Sequence, residues 1–429
     1  MTGLEPRLTA VQTLLRVEQS GSYSNLVLDN AAKKLDDAGA RLMRAIFLGT
    51  LERRITLDAC IAAHGRRPVG KFDLPVLCVL RCGIYELLYM HTPDAAAVNL
   101  WTECVKRLKK TSAAGTVNAI LRGFIRGGKQ IPLPEDETAA MAVQYSVPEE
   151  LVRELLAEYD RETVTAFLAD AAGEPPIYVR RNPLCCTEEE LLRRFALEPV
   201  PDIPFAYRAK AGFRVQLKTA GNCFHVQDLA SQLCCLALDP QSGETVLDVC
   251  AAPGGKTFSA AELMWNQGRI FAYDLHENRV KLIRSGAEAL GLTIITAAAG
   301  DARETEKPSA DRVLCDVPCS GYGVIRRKPE IRYKSLAETA GLPEIQYGIL
   351  EAAAKAVKPG GVLVYSTCTV LKRENEAVAE RFLAAHPEFH PELPWQNYPQ
   401  LRTYAREMTT LFPQMTGSDG FFICKMRRE

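Results

Sequence analysis

The sequence predicts a multidomain chain: an all-α helical bundle, then a small α/β subdomain, then a doubly wound α/β unit. Three observations carry this. Apolar residues recur at helical spacing almost throughout residues 5–128. From about residue 221 short apolar runs alternate with helical stretches, the rhythm of strands and crossover helices in a parallel sheet. The chain has 429 residues, which at about 150 per domain allows three. Hydrophobic residues at 47% and charged residues at 24% are ordinary globular proportions, which excludes a disordered chain. The 29 Gly and 25 Pro are too few for a collagen or low-complexity protein. No stretch nears the length of uncharged apolar sequence that a membrane span needs, and Met1 to Leu15 lacks the pattern of a secretory signal. A cytoplasmic location without membrane contact is expected.

The helical bundle, residues 1–130, rests on four periodic sets. These are Leu8, Val11, Leu14 and Leu15; Leu42, Ile46, Leu48 and Leu51; Leu77, Leu80, Ile84, Leu87 and Leu88; and Val117, Ile120, Leu121 and Phe124. Breaks fall at Ser20–Ser22, Gly65–Gly70 and Thr92–Pro93. Net charge is zero overall, but residues 1–135 hold 19 Lys/Arg against 12 Asp/Glu, and the remainder 33 against 40. A basic front end suits docking on a polyanion. Lys106, Arg107, Lys109, Lys110, Arg122, Arg126 and Lys129 face only Glu103 within residues 102–129.

Gly127–Gly128, Pro132 and Pro134 mark a linker. Residues 131–220 then read as linker helices and a small α/β subdomain: residues 148–170 are helical, and Pro175–Pro176 opens a strand at Ile177–Val179. Thr187 with Glu190 three residues on predicts a capping box.

Residues 221–429 form the α/β unit. Strands are expected at Thr245–Val249, Arg269–Tyr273, Leu292–Ala297, Arg312–Leu314 and Gly361–Tyr365, with helices at Thr257–Met264, Asn278–Leu290, Leu336–Val357 and Arg373–Ala385. Ligands of such sheets bind beyond the carboxyl ends of the strands. The first strand runs into Cys250–Ala251–Ala252–Pro253–Gly254–Gly255–Lys256–Thr257. This turn lets a ligand approach the backbone. It fails the P-loop pattern, because Cys250 stands where the first Gly belongs, and the dinucleotide pattern, because Gly254 and Gly255 adjoin. A nucleoside cofactor without pyrophosphate remains. Asp274 ends the second strand, where a carboxylate can accept from ribose hydroxyls, and Asp301 ends the third. S-adenosyl-L-methionine fits this set best.

The fourth strand ends in Asp316–Val317–Pro318–Cys319–Ser320–Gly321 and the fifth in Ser366–Thr367–Cys368. Adjacent strands would bring both thiols over one crevice beside the cofactor. A thiol has a purpose there. Carbon 5 of cytosine is a poor nucleophile, but a thiolate adding to carbon 6 makes it enamine-like and able to accept a methyl group. Asp316 would hydrogen-bond the ring edge. The base must be unstacked or already single-stranded. The chain's 14 Cys show neither a disulfide framework nor a zinc spacing, so no metal is expected. An amino-group methyltransferase would show Asn/Asp-Pro-Pro-aromatic where Asp316-Val-Pro-Cys stands. A non-catalytic RNA-binding or assembly factor would need neither the cofactor loop nor the thiols.

These motifs resemble the RNA 5-methylcytosine methyltransferase family, the NOL1/NOP2/Sun family. Further matches are Val226–Ser231, Gly323–Arg327 and Gly417–Phe422, so the likeness spans about residues 145–429. The front end is similar to NusB-like RNA-binding domains at Tyr23–Ser24–Asn25, Ala95–Asn99 and Val117–Arg122. The resemblance implies a Rossmann-like S-adenosylmethionine-dependent methyltransferase fold in residues 221–429. It implies cofactor contacts from Cys250, Ala251, Ala252, Pro253, Gly254, Gly255, Lys256, Asp274, Asp301 and Asp316. It also implies Cys368 as nucleophile and Cys319 in product release. DNA cytosine methyltransferases attack instead from a Pro-Cys motif, which here is Cys319, so the residues leave the assignment open. The base that removes the carbon 5 proton is unassigned. The implied substrate is a cytosine in 16S ribosomal RNA, either naked or in an early assembly intermediate, and a monomer is expected.

Overall fold

The computed structural model describes residues 3–20, 24–304 and 306–429; the break expected at Ser20–Ser22 and Tyr23 of the front-end match fall largely or wholly outside them. The chain divides into two compact units. One is Met1–Ala172 with Lys328–Ser335, the other Gly173–Arg327 with Leu336–Glu429.

The first unit contains α1 (Leu4–Ser20), α2 (Ser24–Ala32), α3 (Asp37–Glu52), α4 (Arg54–Gly65), α5 (Leu74–Tyr89), α6 (Asp94–Arg107), α7 (Ala114–Arg126), α8 (Glu137–Tyr145), α9 (Glu149–Glu158) and α10 (Arg161–Asp170). The amphipathic α7 shows why these segments pack. Val117, Ile120, Leu121 and Phe124 fall on one face and are buried, each worth about 1.5–3 kcal/mol. The core also holds one buried carboxylate, Glu86, satisfied by Arg7, by Thr92 and by the Trp101 indole at 2.8 Å. The stretch 148–170 is two helices: Asp160 interrupts it and caps α10 by accepting from the Thr163 N–H at 2.9 Å.

Helices α8 to α10, which the sequence reading placed with the small α/β subdomain, group with the helical unit. There Thr56 Oγ1 donates to the Val143 carbonyl at 2.5 Å, and the Ile55 N–H donates to Ser146 Oγ at 3.0 Å. Residues Lys328–Ser335 belong to this unit too. Arg332 is fully buried and donates to the carbonyls of Glu52, Tyr145 and Ala171. The Tyr333 hydroxyl donates to Leu51 and Glu52 carbonyls, and the Arg54 guanidinium stacks 3.9 Å from its ring centroid.

The second unit opens with β1 (Tyr178–Arg181), α11 (Glu188–Arg194), β2 (Leu197–Pro199), β3 (Ala206–Ala209), α12 (Phe213–Gln216) and β4 (Phe224–Val226). The strands pair antiparallel in the order β2-β3-β1-β4. The capping box stands at the start of α11, with Thr187 and Glu190 exchanging both backbone bonds.

The larger sheet follows: α13 (Leu229–Leu238), β5 (Thr245–Asp248), α14 (Gly255–Leu263), β6 (Arg269–Asp274), α15 (Glu277–Leu290), β7 (Ile295–Ala299), β8 (Ala310–Asp316), α16 (Leu342–Ala354), β9 (Val357–Thr367), α17 (Glu376–Ala385), β10 (Phe389–Glu392), β11 (Met408–Leu411), α18 (Pro413–Thr416) and β12 (Phe421–Arg428). Strand order is β10-β12-β9-β8-β5-β6-β7, with β11 also on β12. The five strands β9-β8-β5-β6-β7 are parallel, as expected, but β10, β11 and β12 add an antiparallel edge. The sheet is therefore mixed. Two other differences have local causes. The third strand begins at Ile295 because Gly291, at φ 71°, ends α15 and Leu292 folds back to donate to the Ala287 carbonyl. Helix α16 begins only at Leu342, where Pro343 occupies its first turn.

Candidate active site

Strand β5 delivers Cys250–Lys256 into the turn before α14. Gly254 has φ 113°, a conformation that side chains rarely adopt, and the Phe258 ring fills the place of its missing Cβ. The turn borders a cavity of about 200 Å³. Of the expected cofactor residues, Cys250, Ala251, Ala252, Pro253, Gly255, Lys256 and Asp316 line it. Gln227, Asp228 and Asp248 line it as well, residues not singled out as ligands from sequence.

Gly254 shapes the turn without lining the cavity. Asp274 is also outside the lining and is bonded to the turn: buried, its carboxylate accepts from the Ala252 N–H at 3.3 Å and the His276 N–H at 3.2 Å, with Arg279 at 3.1 Å. Asp301 follows β7 and is outside the cavity lining. Its carboxylate is held by Arg303, whose side-chain and backbone donors pull the carboxyl down to about 2.

Two buried polar atoms in the cavity wall have no protein partner, Asp248 Oδ1 and Gln227 Nε2. The other Asp248 oxygen accepts from Thr257 Oγ1 at 2.7 Å, and Gln227 Oε1 accepts from Ser259 Oγ at 2.7 Å. An unmet acceptor and an unmet donor in one small cavity are what a polar ligand would satisfy. Burial pushes the Asp248 carboxyl up to about 7.

Asp316 joins this cavity to the thiols. Its Oδ2 accepts from Lys256 Nζ at 2.8 Å and its Oδ1 from Ser366 Oγ at 2.9 Å. Burial drives the Lys256 ammonium toward losing its proton, but the Asp316 charge beside it prevails and holds its pKa above the usual lysine value. The Phe421 ring lies 5.0 Å from that ammonium.

Register places Asp316 opposite Ser366 on the parallel pair β8–β9, so the residues after them come together. Cys319 Sγ lies 3.2 Å from Cys368 Sγ, and both are partly exposed. The Cys319 thiol is pushed up, first by its hydrogen bond to Cys368, then by burial and by the charges of Glu374 and Asp316. Either sulfur can donate across this contact. The buried thiols Cys78, Cys104 and Cys424 are pushed up to about 12 by burial.

Fold and site together define an α/β methyltransferase with a mixed sheet, preceded by a helical domain. A family model described as 16S rRNA methyltransferase RsmB/F matches residues 235–427, and one described as NusB family matches residues 4–126. The probable ribosomal RNA small subunit methyltransferase B of Bacillus subtilis (strain 168) is 38% identical, covering 98% of each chain. Among solved structures, PH0851 superposes with TM-score 0.81 at 24% identity over 100% of this chain and 99% of its own. NSun6 from Pyrococcus horikoshii, solved with SFG, gives TM-score 0.54 at 19% identity, covering 69% of this chain and 98% of its own. The chain belongs to the RsmB/F family of ribosomal RNA small subunit methyltransferases, with a NusB domain at its front.

Proposed function

We propose that the enzyme methylates carbon 5 of a cytosine in 16S ribosomal RNA, with S-adenosyl-L-methionine as donor and a transient Cys368–cytosine bond. The single observation carrying this is the 3.2 Å approach of two partly exposed thiols at adjacent strand ends, with Asp316 between them and the cavity. An amino-group methyltransferase would need no such pair.

The cavity residues suit the donor. Asp248 and Gln227 would hold its polar groups, and the glycine-rich turn would lie against it. Bound there, it supplies an electrophilic methyl group. The chain's own residues do the rest. The Cys368 thiolate adds to carbon 6, which loads electron density onto carbon 5. Asp316 hydrogen-bonds the ring edge and steadies the adduct, while Lys256 fixes Asp316. After methyl transfer, loss of the carbon 5 proton restores the double bond and breaks the carbon–sulfur bond. Cys319, 3.2 Å from Cys368, assists that release.

The two thiols make opposite predictions. Cys368→Ala should abolish methylation and form no adduct. Cys319→Ala should accumulate a covalent protein–RNA complex that survives denaturing electrophoresis. The reverse pattern would assign attack to Cys319. Bisulfite sequencing of 16S RNA from cells with and without the gene tests the base: a cytosine protected only when the gene is present is expected, and none overturns the reading.

A further inference from the structure

The peptide groups around Cys319 are anchored by one fully buried pair. Gln346 Nε2 donates to the Pro318 carbonyl at 3.0 Å and to Glu374 Oε2 at 2.9 Å. The same Glu374 oxygen accepts from the Ser320 N–H at 2.8 Å. Pro318 contributes the carbonyl of the peptide before Cys319, and Ser320 the N–H of the peptide after it. Both planes flanking the Cys319 α-carbon are thus tied to one point.

Asn375, the next residue along the chain from Glu374, ties down the residues on either side of the other thiol. Its Oδ1 accepts from Thr367 Oγ1 at 2.6 Å, and its Nδ2 donates to the Thr369 carbonyl at 3.1 Å. Thr367 and Thr369 stand on either side of Cys368. A third link joins the loops directly, Ser320 Oγ to Thr369 Oγ1 at 2.8 Å. Glu374, Asn375, Gln346, Thr367 and Thr369 are all 0% exposed. Buried polar networks of this kind are costly if left incomplete and rigid when satisfied.

The structure assigns Glu374 and Asn375, with Gln346, as positioning residues: consecutive side chains that hold one thiol loop each and so fix the spacing of Cys319 and Cys368. None of the three lines the cavity. This rests on the two-thiol chemistry proposed above, because only an enzyme that uses both sulfurs in one cycle needs their separation fixed.

The experiment reads the spacing itself. Phenylarsine oxide condenses with two neighbouring thiols, releasing water, and grips them only when both sulfurs reach one arsenic atom. In the full-length protein its occupancy of Cys319 and Cys368 is read as protection from iodoacetamide by peptide mass spectrometry, with Cys319→Ser as the single-thiol baseline. Asn375→Ala and Glu374→Ala are expected to weaken chelation by at least about tenfold, since small misplacements cost that much in pre-organised pairs. Glu374→Gln, which keeps an oxygen for Ser320 and Gln346, is expected to chelate like the parent. S-adenosylmethionine affinity should stay at the parental value in each, which shows a folded site. Where an Ala variant does not fold, Gln346→Leu supplies the reading, because it removes only the donors to Pro318 and Glu374. Parental chelation in the folded Ala and Leu variants, or loss in Glu374→Gln equal to that in Glu374→Ala, overturns the assignment. Absence of an RNA adduct in Cys319→Ala refutes the chemistry instead and leaves the chelation result standing.

Discussion

Asp248 ends β5 with one oxygen bonded to Thr257 and the other facing the cavity, and burial raises its carboxyl to about 7. In the unfolded chain an Asp titrates near 3.9. Between those values the folded protein binds the extra proton, so this group's stabilisation is full below about pH 4 and is lost as pH rises through 7. Asp248→Asn keeps an oxygen for Thr257 and cannot ionise. Its unfolding free energy should gain on the parent by roughly 3 kcal/mol between pH 5 and pH 8, at 1.36 kcal/mol per unit. Denaturant unfolding at both pH values measures this, and a difference that ignores pH sinks it. The residues of this site differ in how far sequence exposed them. Cys319 and Cys368 were legible because each follows a strand end, and strand ends converge in an open sheet. Gln346, Glu374 and Asn375 were not. Their partners are 28 residues away or sit in a neighbouring loop, and a buried Glu on a charged stretch reads as a solvated one.

At the level of elements, the segment after the first thiol is sewn to its surroundings partly by backbone. The Gly323 N–H donates to the Cys368 carbonyl at 3.0 Å, and the Gly420 N–H donates to the Gly323 carbonyl at 2.9 Å. A Cβ on Gly323 would overlap the Gly420 carbonyl. Two motifs nearly 100 residues apart, Gly323–Arg327 and Gly417–Phe422, are therefore one structural device. Arg327 strengthens it by bonding Asp228 at 2.8 Å and Asp419 at 2.5 Å. Gly323→Ala should separate these backbones and reduce the methylation rate by about 100-fold, the scale of a 1 Å misplacement. Donor affinity should change much less, because neither Gly323 nor Gly420 lines the cavity. A parental rate in a steady-state assay would show that the contact is dispensable. Sequence revealed the parallel strands through their continuous apolar runs, as in Val362–Tyr365, buried on both faces. It hid β12 for the same reason: Phe421–Met426 are all buried, so the alternation that would announce an antiparallel strand with one solvated face is missing.

Across the whole chain, charge and connectivity bear on how the RNA is met. Part of the basic stretch is neutralised within the helical unit, where Lys110 pairs with Asp73 and Lys129 with Asp94. Such exposed pairs are weak and exchange readily for phosphate. Removing residues 1–172 should weaken RNA binding and flatten its dependence on salt. It should also free Lys328–Ser335, since Arg332 and Tyr333 lose the carbonyls that hold them. Trypsin should then cut after Arg332 or Lys334 in the shortened protein while sparing the full-length chain; equal cleavage in both would contradict this. Among the described residues no helix is long and apolar enough to cross a membrane.

That inserted octapeptide also orders events during synthesis. The oxygens of Glu52, Tyr145 and Ala171 emerge from the ribosome long before Arg332, the guanidinium that will meet them. The amino-terminal helices can collapse early, yet their final closure waits on translation of a segment that lies just past Cys319. A ribosome stalled before that point would leave the front half assembled but unsealed.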